Sequence, residues 1–242
     1  SDVFFWNAQP NVPPADAPAQ LVQDNGTSVA AGFWYGKNTA SWTFSVDNFY
    51  SMLQQTGNKG MITINYGYAR YGTGTNPVAS AAHLAADWVR YDNGRTQYWE
   101  IGNENFGNWE AGYRINTATN QDGQPEFLTG QLYGQHFKVF ADSMRKAAQE
   151  IGKTIYIGAV MSESAPEGWW TPTATNWNSG LTSAAGNYPD FYIVHNYYTP
   201  FQTNATAAII LNTPLTETQK MMDYVRQTIS GAALTQKPVI LG

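Results

Sequence analysis

Glu104 lies midway along the run Tyr98-Trp99-Glu100-Ile101-Gly102-Asn103-Glu104-Asn105-Phe106-Gly107-Asn108-Trp109-Glu110. Apolar residues give way there to a polar, glycine-containing segment, which puts Asn103 and Glu104 where a strand becomes a loop. In a parallel sheet this is the carboxyl rim, the end at which β/α-barrel enzymes keep their active sites. A carboxyl group flanked by Trp and Phe is expected to resist ionisation, because burial disfavours the charged form. A raised pKa suits a general acid that protonates a leaving group near neutral pH. Asn103 beside it carries both a donor and an acceptor, enough to fix one sugar hydroxyl. The ordinary alternative is that Glu104 is an exposed loop carboxylate, since an Asn-Glu pair alone is weak evidence.

The elements that must carry these residues alternate along the chain. Residues 1–44 look irregular, with Pro10, Pro13, Pro14 and Pro18 and three glycines interrupting any long element. Ser45 caps a helix over 46–55 that Gly57 ends. Residues 61–66 form a short strand, followed by a Gly-rich loop to Pro77 and an Ala-rich helix over 78–91. Further strands fall at 97–102, 154–160, 190–198 and 238–241, with helices at 127–151 and at 216–230, the latter capped by Thr216. Strands separated by helices imply a parallel sheet, since parallel neighbours need crossover connections. The expected fold is α/β, a partial TIM-type barrel, in one domain over 1–242.

Composition narrows the chemistry. Charged residues make up 13% of the chain and the formal net charge is -5, so the basic footprint of a nucleic-acid binder is missing. No apolar run is long enough to span a membrane. The absence of cysteine removes disulfides, zinc-thiolate sites and thiol nucleophiles. Nine Trp and fifteen Tyr stand beside many neutral amides and hydroxyls. Flat rings and neutral hydrogen-bonding groups are what a surface needs to stack on sugars and bind their hydroxyls. Low charge with neutral polarity also fits a secreted protein.

The segment 98–104 resembles the acid/base strand of clan A glycoside hydrolases. So does the order that precedes it: helix, a strand ending Asn65-Tyr66-Gly67, Gly-rich loop, then a helix with Ala85-Ala86-Asp87-Trp88-Val89. Val194-His195-Asn196-Tyr197-Tyr198-Thr199 looks like the sixth strand of such barrels. The likeness runs over roughly 45–242 and points to the α-L-arabinofuranosidase and β-glycanase type. It implies that Glu104 is the general acid/base, that Asn103 holds the substrate 2-hydroxyl, and that His195 and Tyr197 position the nucleophile and the sugar. It further implies a retaining double displacement by a second carboxylate ~5–5.5 Å away. In that clan this is a Glu ending the seventh strand, which is expected just after Gly242. The chain is thus expected to hold strands three to seven of a longer barrel. Its open sheet edges would allow self-association.

Other carboxylates are weaker candidates. Glu163 and Glu167 follow the strand 154–160 on the correct rim, either as a substitute nucleophile or as cleft-side loop residues. Glu100 lies within its strand and reads as facing another layer or making a structural pair. Glu110 follows Trp109 and can line a subsite, whereas Asp190 reads as structural. Trp109, Trp169, Trp170 and Trp177 fall after strands and are candidate sugar platforms, against the alternative that each plugs its own loop. Asn65 and Tyr66 end a strand on the same rim and join the substrate-binding candidates. Three scattered histidines lack zinc-site spacing, Gly72 to Pro77 is not a phosphate loop, and Ser162 has no nucleophile elbow. Two carboxylates hydrolyse glycosides without metal or cofactor, so none is expected. The expected partner is a neutral plant or algal polysaccharide or its oligosaccharides. The alternatives are an α-L-arabinofuranosidase and a non-catalytic carbohydrate-binding scaffold.

Overall fold

The computed structural model describes residues 1–197 and 204–242. The N-terminal region is built from very short strands, in keeping with its prolines. β1 (Phe4–Phe5) and β4 (Trp34–Tyr35) pair in parallel, while β2 (Gln20–Val22) and β3 (Ser28–Ala30) form a hairpin. Its turn uses Gly26 at φ 85°, a left-handed conformation open to glycine.

The remainder alternates: α1 (Val46–Thr56), β5 (Met61–Ile64), α2 (Gly67–Tyr71), α3 (Pro77–Asp92), β6 (Tyr98–Ile101), α4 (Gly130–Glu150), β7 (Tyr156–Val160), α5 (Pro172–Thr175), α6 (Trp177–Ala185), β8 (Phe191–Val194), α7 (Ala207–Gly231) and β9 (Val239–Leu241). The five strands β5 to β9 lie side by side in chain order and all pair in parallel. This is part of a β/α barrel. No helix among the described residues is long and apolar enough to cross a membrane.

Strand alternation sorts the side chains onto two faces. Ile62, Ile64, Trp99, Ile101, Ile157, Ala159, Tyr192 and Val194 are buried on the helix side, where Trp99 meets Trp88 of α3 edge-on. The inner face carries Thr63, Glu100, Gly158 and Phe191 in register. The Phe191 ring fills the space that a Gly158 side chain would occupy. On the helix side, α3 and α6 each pack against α4, and α4 sends Tyr133 between two strand ends. Its hydroxyl donates to Ile101 O at 2.6 Å and accepts from Val160 N at 3.1 Å. Just beyond Ile101 the backbone turns away at Gly102, φ 79°, so a phenol completes hydrogen bonding where β6 and β7 part.

Several boundaries differ from those the sequence suggests. The Gly-rich loop after β5 contains the one-turn α2. The segment after β7 is not all loop but holds α5 and α6, started by the Thr171 cap and a first-turn proline. The last long helix starts at Thr206, whose hydroxyl accepts from Ile209 N, and it runs through Pro214. Thr216 is therefore an interior residue and not its cap. β8 stops at Val194, and Tyr198 and Thr199 lie outside the described residues.

Candidate active site

The chain leaving β6 is held by its backbone and by the N-terminal segment. A side chain on Gly102 would collide with Asn105, so the turn requires glycine at its φ of 79°. Asp2 is buried and accepts from Gly67 N, Asn103 N and Asn105 Nδ2. Glu104 itself sits at φ 45°, a conformation costing about 1–3 kcal/mol for a residue with a side chain. Such strain persists only where its surroundings enforce it, and functional sites are where it concentrates.

Both oxygens of Glu104 take hydrogen bonds. Oε1 lies 3.0 Å from His195 Nδ1, and Trp109 Nε1 donates to Oε2 at 3.1 Å. His195 Nε2 faces a second carboxylate, 3.5 Å from Glu100 Oε1. Glu100 and then Glu104 push His195 up to about 10, against the effect of its burial. In return the His195 contact holds Glu104 below the usual carboxylate value, and the opposing burial does not overcome it. The expectation of a raised Glu104 is thus corrected. Flanking aromatics desolvate the carboxyl group, but a cation donated from β8's end outweighs them.

Glu104 and His195 open onto a cleft of about 390 Å³ that Trp109, Glu163, Trp169, Trp170, Asn196 and Tyr197 also line. Trp109, Trp169 and Tyr197 are exposed, at 66%, 76% and 83%. Trp169 Nε1 donates to Glu167 Oε2 at 2.7 Å, and Trp169 meets Trp170 edge-on. Glu163 Oε1 is 3.5 Å from Asn196 Nδ2. Burial, the largest cause, lifts Glu163 above its ordinary value, and nearby Glu104 adds to this. The cleft therefore pairs an ionised carboxylate with one that holds its proton more tightly. A larger cavity, about 780 Å³, lies between Phe127, Gln131 and the α5–α6 region, with Asp24 as its one carboxylate. Among the described residues no cluster of three His, Cys, Asp or Glu could hold a metal ion.

Four of the residues singled out in the sequence do not face this cleft. Asn65 is buried; its amide nitrogen donates to Phe4 O and Tyr71 Oη, and its oxygen accepts from Tyr68 N. Tyr66 is completely buried beneath α4, its hydroxyl 3.0 Å from His136 Nδ1. Trp177 is equally buried, donates to Val160 O and packs on Tyr133, so it is core and no sugar platform. Asn103 donates to Glu110 Oε1 at 2.8 Å and is not among the cleft's lining residues. That amide bond opposes the effects of burial and of Asp2, which push Glu110 up to about 7. The sequence did not reveal what Glu100 and Asp2 pair with. The one signal for Glu100 was parity, since it points to the face opposite Trp99 and Ile101.

No family model matches the chain, and a search of curated proteins finds no match. Among solved structures it is similar to AbfB, a family 51 α-L-arabinofuranosidase from Bifidobacterium longum, with a TM-score of 0.52 and 21% identity. The likeness covers 82% of this chain and 37% of that one, so the chain spans little more than a third of that enzyme's length. At this identity the fold is what is shared, a β/α barrel. The chemistry has to be argued from the residues.

Proposed function

We propose that residues 1–242 form part of a glycoside hydrolase catalytic domain that cleaves a neutral polysaccharide or its oligosaccharides with retention, Glu104 serving as acid/base. The observation that carries this reading is the Glu104 carboxylate. It leaves the carboxyl rim of a parallel strand and enters a cleft walled by Trp109, Trp169 and Trp170, with both oxygens held by His195 and Trp109. An ionised Glu104 is the form that activates water in the second half of a double displacement; the first half needs it protonated. Within the cleft Glu163 is a second carboxyl group. The rim of β9 is also close, since a side chain on Gly242 would come within 2.7 Å of His195 Nε2, and a nucleophile carried on that rim would reach the same sugar. An arabinofuranoside is the first linkage to try, because the fold resembles an α-L-arabinofuranosidase. Low charge and neutral polarity favour a secreted enzyme. Self-association through the outer edges of β5 and β9 completes the proposal.

The test is a panel of arabino-, xylo-, cello- and agaro-oligosaccharides, with hydrolysis and calorimetric binding measured side by side. Turnover that disappears in Glu104→Gln supports the enzyme, whereas turnover unchanged by that substitution rejects Glu104. A second reading, a carbohydrate-binding scaffold, draws on the lowered Glu104, because a carboxylate kept ionised suits hydrogen bonding to hydroxyls better than proton donation. Binding without turnover in the same panel would favour it.

A further inference from the structure

Glu100 is a buried ionisable group that the proposed reaction leaves unused. It is 2% exposed, halfway along β6, on the inner face. Oε2 accepts from Thr63 Oγ1 at 2.8 Å; Oε1 takes no conventional hydrogen bond among the described residues and lies 3.5 Å from His195 Nε2. A carboxylate withdrawn from water is costly unless a cation or several donors face it. Here the cation is His195, whose other ring nitrogen meets Glu104 at 3.0 Å. A neutral imidazole has a single N–H, so it can donate to only one of two flanking carboxylates. The imidazolium donates to both.

We propose that Glu100 is a positioning residue, which keeps His195 as an imidazolium against Glu104 and thereby sets the orientation and the ionised state of that carboxylate. This rests on the glycosidase reading above. The groups facing the relay are known on each side. Glu163 acts on Glu104 and His195 from across the cleft, Glu110 acts on Glu104 from its own loop, and Tyr133 lies within electrostatic reach of Glu100 from α4. With His195 protonated and Glu104 ionised, as the second half of the reaction requires, Glu100, His195 and Glu104 together carry one net negative charge. That charge faces the place where an oxocarbenium-like transition state develops positive charge.

The experiment is a ¹⁵N–¹H titration of the histidine rings in the full chain, simplified because His83, His136 and His195 are the only three. The wild type should show both His195 ring nitrogens protonated at pH 8. Glu100→Gln should move the His195 midpoint down by more than about one pH unit, the size expected when a close carboxylate partner is lost. The same variant should lower kcat about tenfold or more, since the orienting partner of a catalytic group is gone. It should also shift the alkaline limb of the kcat/KM profile to higher pH, because Glu104 loses part of the cation that keeps it ionised and stays protonated further up the pH scale. Thr63→Val, which removes the hydroxyl and leaves the charge, should move the midpoint less; equal shifts in the two variants would mean a merely structural disturbance and overturn the proposal. A neutral His195 in the wild type at pH 8 would overturn it too, even if Glu100→Gln does not fold. So would an unchanged midpoint in a folded Glu100→Gln. If the wild type hydrolyses nothing in the oligosaccharide panel, the glycosidase reading fails while the ring titration still decides the Glu100–His195 link.

Discussion

The ends of β5 and of β6 leave the same sheet at the same level, yet one is sealed and the other is open. After β5, Asn65 and Tyr66 are covered by the N-terminal segment and by α2 and α4, and every polar atom of Asn65 is tied to backbone or to Tyr71. After β6, Glu104 meets His195 from the end of β8 and faces a cleft. Strand register decides which residues reach the rim, and it is local. What the rest of the chain lays over that rim is not local, and it separates structural residues from those free to meet a ligand.

The contrast can be broken most directly at the open end. Glu104→Gln should lower kcat by about 10³-fold, within the range for removing a general acid/base, with circular dichroism unchanged; near-normal turnover would mean that the open rim is not catalytic. At the sealed end, Asn65→Ala should cost about 1–3 kcal/mol in denaturant unfolding, because it strands buried partners. Its sugar affinity should stay normal, and an affinity loss without a stability loss would assign β5's end to the site. Trp109→Ala should weaken oligosaccharide binding about fivefold by calorimetry, ring-face contacts being worth about 0.5–1.5 kcal/mol. It also removes a donor to Glu104, so the alkaline limb of kcat/KM should drift to higher pH.

The smallest effect concerns Glu110, which is raised from 4.5 to about 7, first by burial and then by Asp2. A carboxyl that binds its proton more tightly when folded contributes stability that is present below pH 4.5 and is lost as the pH climbs through about 7. The melting temperature should therefore fall more between pH 5 and 8 in the wild type than in Glu110→Gln, as read by calorimetry. Parallel curves would show that Glu110 titrates normally.

Much of the sheet was legible because its signals are local. The apolar, β-branched runs lie within three residues of β5, β6, β7 and β9, and Ser45 and Gly57 bracket α1 as cap and left-handed stop. Pro214 hid the start of α7, because a proline in a helical pattern normally argues for a boundary. Trp177 reads as a loop aromatic until α6 turns it into the core. The charge of Glu104 was misread for a related reason. Its sequence neighbours are aromatic, but the group that sets its ionisation is a histidine 91 residues away.

Tyr133 gives the carboxyl rim a control that lies outside the cleft. Its phenol bridges the ends of the strands that lead to Glu104 and to Glu163, and it is rooted in a helix on the reverse side of the sheet. The spacing of those two strand ends is therefore braced from behind. A bulkier or smaller residue at 133 could retune their spacing without ever meeting a sugar.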